Sequence, residues 1–192
     1  MNEAIVVENF NNTIVIRFNR PQERNPLSIA VLEKIESILE NINPNVEAMI
    51  FTGTNDVFAS GADLREIAKV TKDTAKEFAL RGQNLMNKIA AMEQTTIAAI
   101  NGYCFGGALD LALACDKRIA SPNAQFSHPG ANLGIITGWG GTQRLPRLIG
   151  EAKALEMFLT AKRVSADEAL QIGLIDKIAG NPLAEGLAFI LD

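Results

Sequence analysis

The chain has 192 residues, 47% apolar and 21% charged, with a formal net charge of −4 and no block of Lys or Arg. These values fit one domain with a substantial core and argue against general binding to nucleic acid or anionic membrane. No apolar run is long enough to cross a bilayer. The N-terminus MNEAIVVENF carries acids and no basic stretch, so no secretory signal is expected and the default location is the cytoplasm. One histidine, His128, and two cysteines, Cys104 and Cys115, leave no ligand set for an ordinary zinc site and no disulfide framework.

In chain order, AIVVENF and TIVIRFN are β-rich runs around the turn signal Asn11-Asn12, which predicts an antiparallel hairpin. NRPQERNPL is a polar, proline-punctuated loop. Ser28 reads as the N-cap of a helix reaching about residue 42, with Ile29, Leu32, Ile35, Ile38 and Leu39 on one face. AMIFTG is a short buried strand, and NDVFASGADL is a strand end, a turn and a helix start. A long helix over 73–92 presents Phe78, Leu85, Met86 and Ile89. TTIAAING is a second buried strand ending at a glycine turn, and in CFGGALDLALACD (104–116) two glycines lead into an apolar helix flanked by Cys104 and Cys115. KRIASPNAQFSHPG gives two short strands around a proline turn, and 141–160 one or two short helices. SADEALQIG is a capped helix closed by Gly173, LIDKIA a last strand, and a final helix begins near Leu183. There is no internal repeat or linker, and strands alternating with helices predict an α/β fold with mainly parallel pairing. The apolar residues of that final helix need a partner, either this domain or another subunit, unless the chain is a shortened form of a longer protein.

Two stretches, FASGADL (58–64) and NGYCFGGALDL (101–111), share one pattern: buried strand, small-residue turn, helix start. Backbone N–H groups at a helix start have no partner in the helix, the macrodipole adds partial positive charge, and small residues let a ligand come close. Side by side, two such turns would aim two N–H donors at one oxygen and form an oxyanion hole. The plain alternative is a packing turn common in α/β proteins. Neither turn matches a nucleotide-binding glycine pattern. Asp110 either supports the helix dipole or, among Leu109, Leu111, Ala112 and Leu113, has a raised pKa suited to proton transfer. Asp63, at the other helix start, reads as a cap.

NRPQERNPLS, FASGADLREI, NGYCFGGALDLALACDKRIAS, AQFSHPGANLGIITGWGGTQRLPRLIG and LTAKRVSADEALQIGLIDKI resemble, in that order, the successive blocks of the crotonase (enoyl-CoA hydratase/isomerase) family. The resemblance runs from about residue 5 to the end. It implies a single crotonase-like domain, a spiral of ββα units with flanking helices. It also implies a homotrimer or dimer of trimers acting on acyl-CoA thioesters, with coenzyme A as part of the substrate and no separate cofactor or metal. By motif position the oxyanion donors are the N–H groups of Ala62 and Gly107, and Asp110 is the acid/base. Arg24 and Pro26 lie along the CoA, Asp63 and Leu64 join Ala62 around the thioester arm, and His128, Gly130 and Trp139 belong to the acyl pocket.

Two departures matter. The family's hydratases use two glutamates; the first aligns with Asp110 and the second with Gly130. Relatives also continue for several tens of residues past Asp192, with helices that cover the acyl pocket. Hydration of a trans-2-enoyl-CoA is the expected activity. The single carboxylate keeps double-bond isomerisation open, and the scaffold also serves decarboxylation, thioester hydrolysis and non-catalytic acyl-CoA binding. His128 is either structural or a proton carrier, Trp139 packs a pocket wall, Gln143 and Arg144 satisfy backbone or a subunit contact, and the cysteines are small buried hydrophobes.

Overall fold

A computed structural model describes residues 3–191 of the chain. The hairpin forms as the turn signal predicts: β1 (Ile5–Phe10) pairs antiparallel with β2 (Thr13–Phe18), and Asn11 takes a positive φ of 52° between them. The loop that follows contributes β3 (Pro26–Leu27) and then α1 (Ile29–Glu40), capped by the Ser28 side chain, which accepts from the Val31 N–H. Val31, Leu32 and Ile35 are the buried residues of α1; Ile29 is only half-buried, because the cap starts the helix at the edge of the core.

Next come β4 (Ala48–Thr52), β5 (Val57–Ala59), β6 (Gly61–Ala62), the single turn α2 (Leu64–Ile67) and α3 (Ala75–Ala90). The pattern repeats with β7 (Thr95–Ile100), β8 (Tyr103–Phe105) and α4 (Gly107–Ala114). It repeats again with β9 (Lys117–Ala120), β10 (Gln125–Ser127), a 3-10 turn over Pro129–Leu133, and α5 (Gly141–Ile149). The chain ends with α6 (Glu151–Thr160), β11 (Val164–Ser165), α7 (Ala166–Gln171), β12 (Lys177–Ile178) and α8 (Pro182–Leu191).

The strands fall into a six-stranded sheet, β1-β2-β4-β7-β9-β12, a four-stranded sheet, β11-β10-β8-β5, and the small pair β3-β6. Each repeat places one strand in the large sheet, the next in the second sheet, and then a helix. That alternation is the ββα spiral, and pairing within both sheets is parallel except at β1-β2 and β10-β11. Both faces of the large sheet are covered, which is why β4 is buried at every position and reads as an unbroken apolar run. One face meets the main core with α3 and α4. The other carries Val15, Ile50, Ile97, Ala99 and Ile119, against which Leu183, Leu187 and Ile190 of α8 pack. The final helix is therefore received by its own domain. Gly186 brings it close: a Cβ there would stand 3.3 Å from the Ile50 side chain.

The glycines of 104–116 lead into a helix between Cys104 and Cys115 as expected, and the structure adds a short strand before them. Tyr103–Phe105 pair with β5 and β10 as a strand, Gly106 turns the chain at φ 55°, and only Gly107–Ala114 are helical. Three residues are too few to show an alternating pattern in sequence. In α4 every residue after Gly107 is buried, so this helix is a central rod of the domain and Asp110 is its one charged side chain.

Candidate active site

The two glycine turns do lie side by side. β6 is held next to β3, with Pro26 opposite Gly61 and Leu27 opposite Ala62. Gly61 has φ +87°, and a Cβ on it would be 2.6 Å from the Phe105 carbonyl oxygen and 2.7 Å from the Gly107 nitrogen. The glycine thus brings one turn's backbone into contact with the other's. Gly106 donates its N–H to the Ser127 carbonyl at 2.9 Å, which fixes the start of α4 to β10. Gly107, the first helical residue, has no intrahelical acceptor for its own N–H.

Ala62, Gly107, Asp110, His128, Gly130 and Trp139 all line one cavity of about 320 Å³. Its walls are mostly apolar, with Phe78 from α3 and Ile135 and Ile136 from the loop before α5. A second groove, about 600 Å³, shares Ser60, Ala62, Leu64, Pro129 and Leu133 with it. Arg24, Pro26, Asp63 and Leu64 border that groove. All the residues placed by motif position are therefore gathered on two connected depressions that meet at Ala62.

Asn25 attaches the outer loop to the site. It is buried at φ 49°, donates from Nδ2 to the Val57 and Phe58 carbonyls at 3.0 and 3.1 Å, and accepts from the Arg20 N–H. Asp63 lines the groove with its carboxylate already engaged. It caps α2 through the Arg65 N–H at 2.9 Å and pairs with the Arg65 guanidinium, which also reaches Glu23. That guanidinium holds the Asp63 carboxyl below its ordinary range. The groove's further cation is Arg163, stacked 5.6 Å from the Phe105 ring centroid.

Asp110 is fully buried, and burial pushes its pKa up to about 7. The Thr137 hydroxyl, which donates to Oδ2, the Trp139 backbone and the Arg144 charge all act the other way and are outweighed. His128, 2% exposed, has its Nε2 3.6 Å from Asp110 Oδ1, and burial lowers its pKa to about 4. Its ring lies 5.2 Å from that of Phe158. Gly141 abuts the pair: a Cβ there would be 2.1 Å from Asp110 Oδ1 and 3.1 Å from His128 Cε1. Trp139 is wedged between two more glycines, since a Cβ on Gly82 or Gly107 would fall 2.2 or 2.4 Å from its ring. It forms a wall beside the Gly107 turn, as a packing residue would.

The Asp110 carboxyl sets a pH dependence of stability. Its pKa is about 7 folded against an ordinary 3.8. Between those values the unfolded chain releases a proton that the folded chain keeps. The stability it contributes is full below about pH 4, declines as pH rises, and is gone above about 7. His128 acts oppositely, because its folded pKa lies below its ordinary 6.5 and its contribution is lost as pH falls toward 4. Asp110→Asn removes only the first effect. Urea denaturation is expected to show the variant gaining roughly 3 kcal/mol on the parent between pH 5 and pH 8.

The family model for enoyl-CoA hydratase/isomerase matches residues 8–185. The chain belongs to this family. It is 42% identical over 179 residues to the crotonyl-CoA hydratase of Syntrophomonas wolfei subsp. wolfei, covering 92% of this chain and 69% of that one. With the short-chain-enoyl-CoA hydratase of Clostridium acetobutylicum it shares 37% identity, covering 91% and 68% of the two chains. The crystal structure of an enoyl-CoA hydratase from Bacillus anthracis superposes with a TM-score of 0.90 at 37% identity, covering 98% of this chain and 75% of that one. Family membership and the ββα spiral are thus as the motifs implied. Thr137, Gly141, Asn25 and Arg163 are the site residues that sequence reading did not single out. Only the positive-φ tolerance of Asn and the glycine run GWGG offered any signal for them.

Among the described residues no helix is long and apolar enough to cross a membrane. Cys104 and Cys115 are free and buried, and burial raises both thiols, Cys115 to about 12.

Proposed function

We propose that this chain hydrates trans-2-enoyl-CoA thioesters in the cavity shared by Ala62, Gly107 and Asp110. One observation carries the reading: a carboxyl poised near neutral pH lines the same apolar cavity as two helix-start turns held in backbone contact. The names of the hydratase relatives support it. The thioester oxygen would face the N–H groups of Ala62 and Gly107, which stabilise the negative charge it gains as water adds at C3. Asp110, protonated by its dry surroundings, would deliver the proton to C2. The pantetheine and nucleotide would follow the second groove past Leu64 and Pro26, with Arg24 and Arg163 near phosphate. Coenzyme A enters only as part of the substrate, and no metal is assigned.

The protein would work as a homotrimer or dimer of trimers. Leu155 and Leu159 of α6, 56% and 67% exposed, offer apolar surface for such an assembly. Two buried free thiols fit a cytoplasmic location. The test is loss of the conjugated thioester absorbance of crotonyl-CoA on adding the purified protein. No loss, with 3-enoyl-CoA isomerised instead, overturns hydration in favour of the isomerase chemistry that a single carboxylate would also serve.

Position 130 gives a further expectation. A Cβ on Gly130 would be 2.6 Å from the Ile135 carbonyl oxygen, so Gly130→Glu must displace the loop that forms the cavity wall. It is expected to lower stability by about 1–3 kcal/mol, as overpacking does, and to leave crotonyl-CoA turnover no higher than the parent's. A urea melt and the same absorbance assay check both.

A further inference from the structure

Hydration moves two protons' worth of bonding, one O–H broken and one C–H made, and Gly130 supplies no second carboxylate. His128 stands beside that position. It precedes the 3-10 turn Pro129–Leu133 and lines the cavity together with Asp110. Asp110 Oδ1 and His128 Nε2 are 3.6 Å apart, too far for a hydrogen bond with each other. Oδ1 and both ring nitrogens of His128 are buried, and none has a hydrogen-bond partner among the described residues. Buried polar atoms are normally satisfied, and three around one cavity wall mark a place that receives a polar reactant. Gly141 and the Phe158 ring pack against the pair and fix its spacing.

We propose that His128 is the second acid–base group of the hydration reaction, taking a proton from water while Asp110 gives its own to C2. The inference rests on the hydratase reading above. The water O–H bond breaks, its proton goes to Nε2, and the oxygen bonds to C3. The C2–C3 π pair moves through the thioester onto its oxygen, which faces the Ala62 and Gly107 N–H groups. When that charge returns, C2 takes the proton from Asp110 Oδ1. An imidazolium then stands beside a carboxylate, and Nε2 returns its proton to Oδ1. One water is consumed, no net proton is released, and the starting state is restored.

The surroundings favour that starting state. Burial keeps the Asp110 carboxyl protonated up to about pH 7 and the His128 imidazole neutral down to about pH 4. The other groups facing Asp110 are the Thr137 hydroxyl, the Trp139 backbone, the Arg144 guanidinium on α5 and the Cys104 thiol on β8. The ring facing His128 is Phe158.

The test compares two reactions in the intact chain. Hydration of crotonyl-CoA needs both groups. Exchange of the C2 protons of butyryl-CoA with D2O, run above pH 7 where Asp110 is a carboxylate able to act as the base, needs Asp110 and the oxyanion hole but no attack by water. His128→Gln and His128→Ala are expected to lose hydration by about 100-fold or more, within the range for general acid–base groups, and to keep exchange within a few-fold of the parent. Equal loss of both reactions in both variants would make His128 a packing residue, and near-parental hydration by His128→Gln would remove its chemical role. A parent that exchanges but does not hydrate overturns the proposal while leaving Asp110 and the oxyanion hole in place. A parent that does neither removes the hydratase reading, and this inference with it.

Discussion

Asp110→Asn is expected to lower kcat for crotonyl-CoA hydration by about 10²–10⁴-fold, the range for removing a positioned acid–base group. The substitution keeps the side chain's size and removes its exchangeable acid. Asp110 is fully buried in α4, and its neighbours Ala108, Leu109, Leu111 and Ala112 are all 0% exposed. An amide fits the same space, and its oxygen can still accept from Thr137. Affinity for a saturated acyl-CoA is therefore expected to change little, because the Arg24–Pro26 groove and the Ala62 and Gly107 N–H groups are untouched. Steady-state kinetics and a binding titration separate the two quantities. A variant with a tenth or more of the parental rate would show that Asp110 is not the acid, whatever its burial.

The same carboxyl shows what the sequence made legible. Its setting among small and apolar residues of one helix is local, and local signals were readable: the Asn11-Asn12 hairpin, the Ser28 and Ser165 caps, the two glycine turns. What stayed hidden depends on distant chain segments. Asp110 and His128 are on different elements, and only the packing of β10 against β8 brings them to 3.6 Å. Gly141 reads as a helix start in sequence, yet its lack of a side chain is what admits Oδ1 of Asp110. The strand Tyr103–Phe105 exists because β5 and β10 flank it, not because of its own three residues. The final helix looked unpartnered because its apolar face is matched by the far side of strands about 60 to 175 residues earlier in the chain. Family blocks in the right order supplied what local pattern could not, namely which turns meet and around which substrate.

Gly61→Ala is expected to reduce hydration by about 10²–10³-fold, comparable to losing an oxyanion donor, with acyl-CoA affinity reduced far less. The glycine reads in sequence as room for a ligand. In the structure it is room for the other turn: its missing Cβ would be 2.6 Å from the Phe105 carbonyl oxygen and 2.7 Å from the Gly107 nitrogen. Both are backbone atoms and cannot rotate away. The φ of +87° adds strain for any L side chain. Relief must come from moving β6, which carries Ala62, away from the start of α4, which carries Gly107. That movement separates the two N–H groups that would share one oxygen. Donor geometry is effective only within a few tenths of an ångström of its ideal, so a displacement too small to unfold the domain still removes much of the stabilisation. Exchange of butyryl-CoA C2 protons should fall with hydration, because both pass through the same charged oxygen. That joint loss distinguishes a damaged oxyanion hole from a missing base at position 128. If Gly61→Ala keeps exchange and hydration near parental rates, the thioester oxygen is held elsewhere, and Ala62 and Gly107 lose their assignment as its donors.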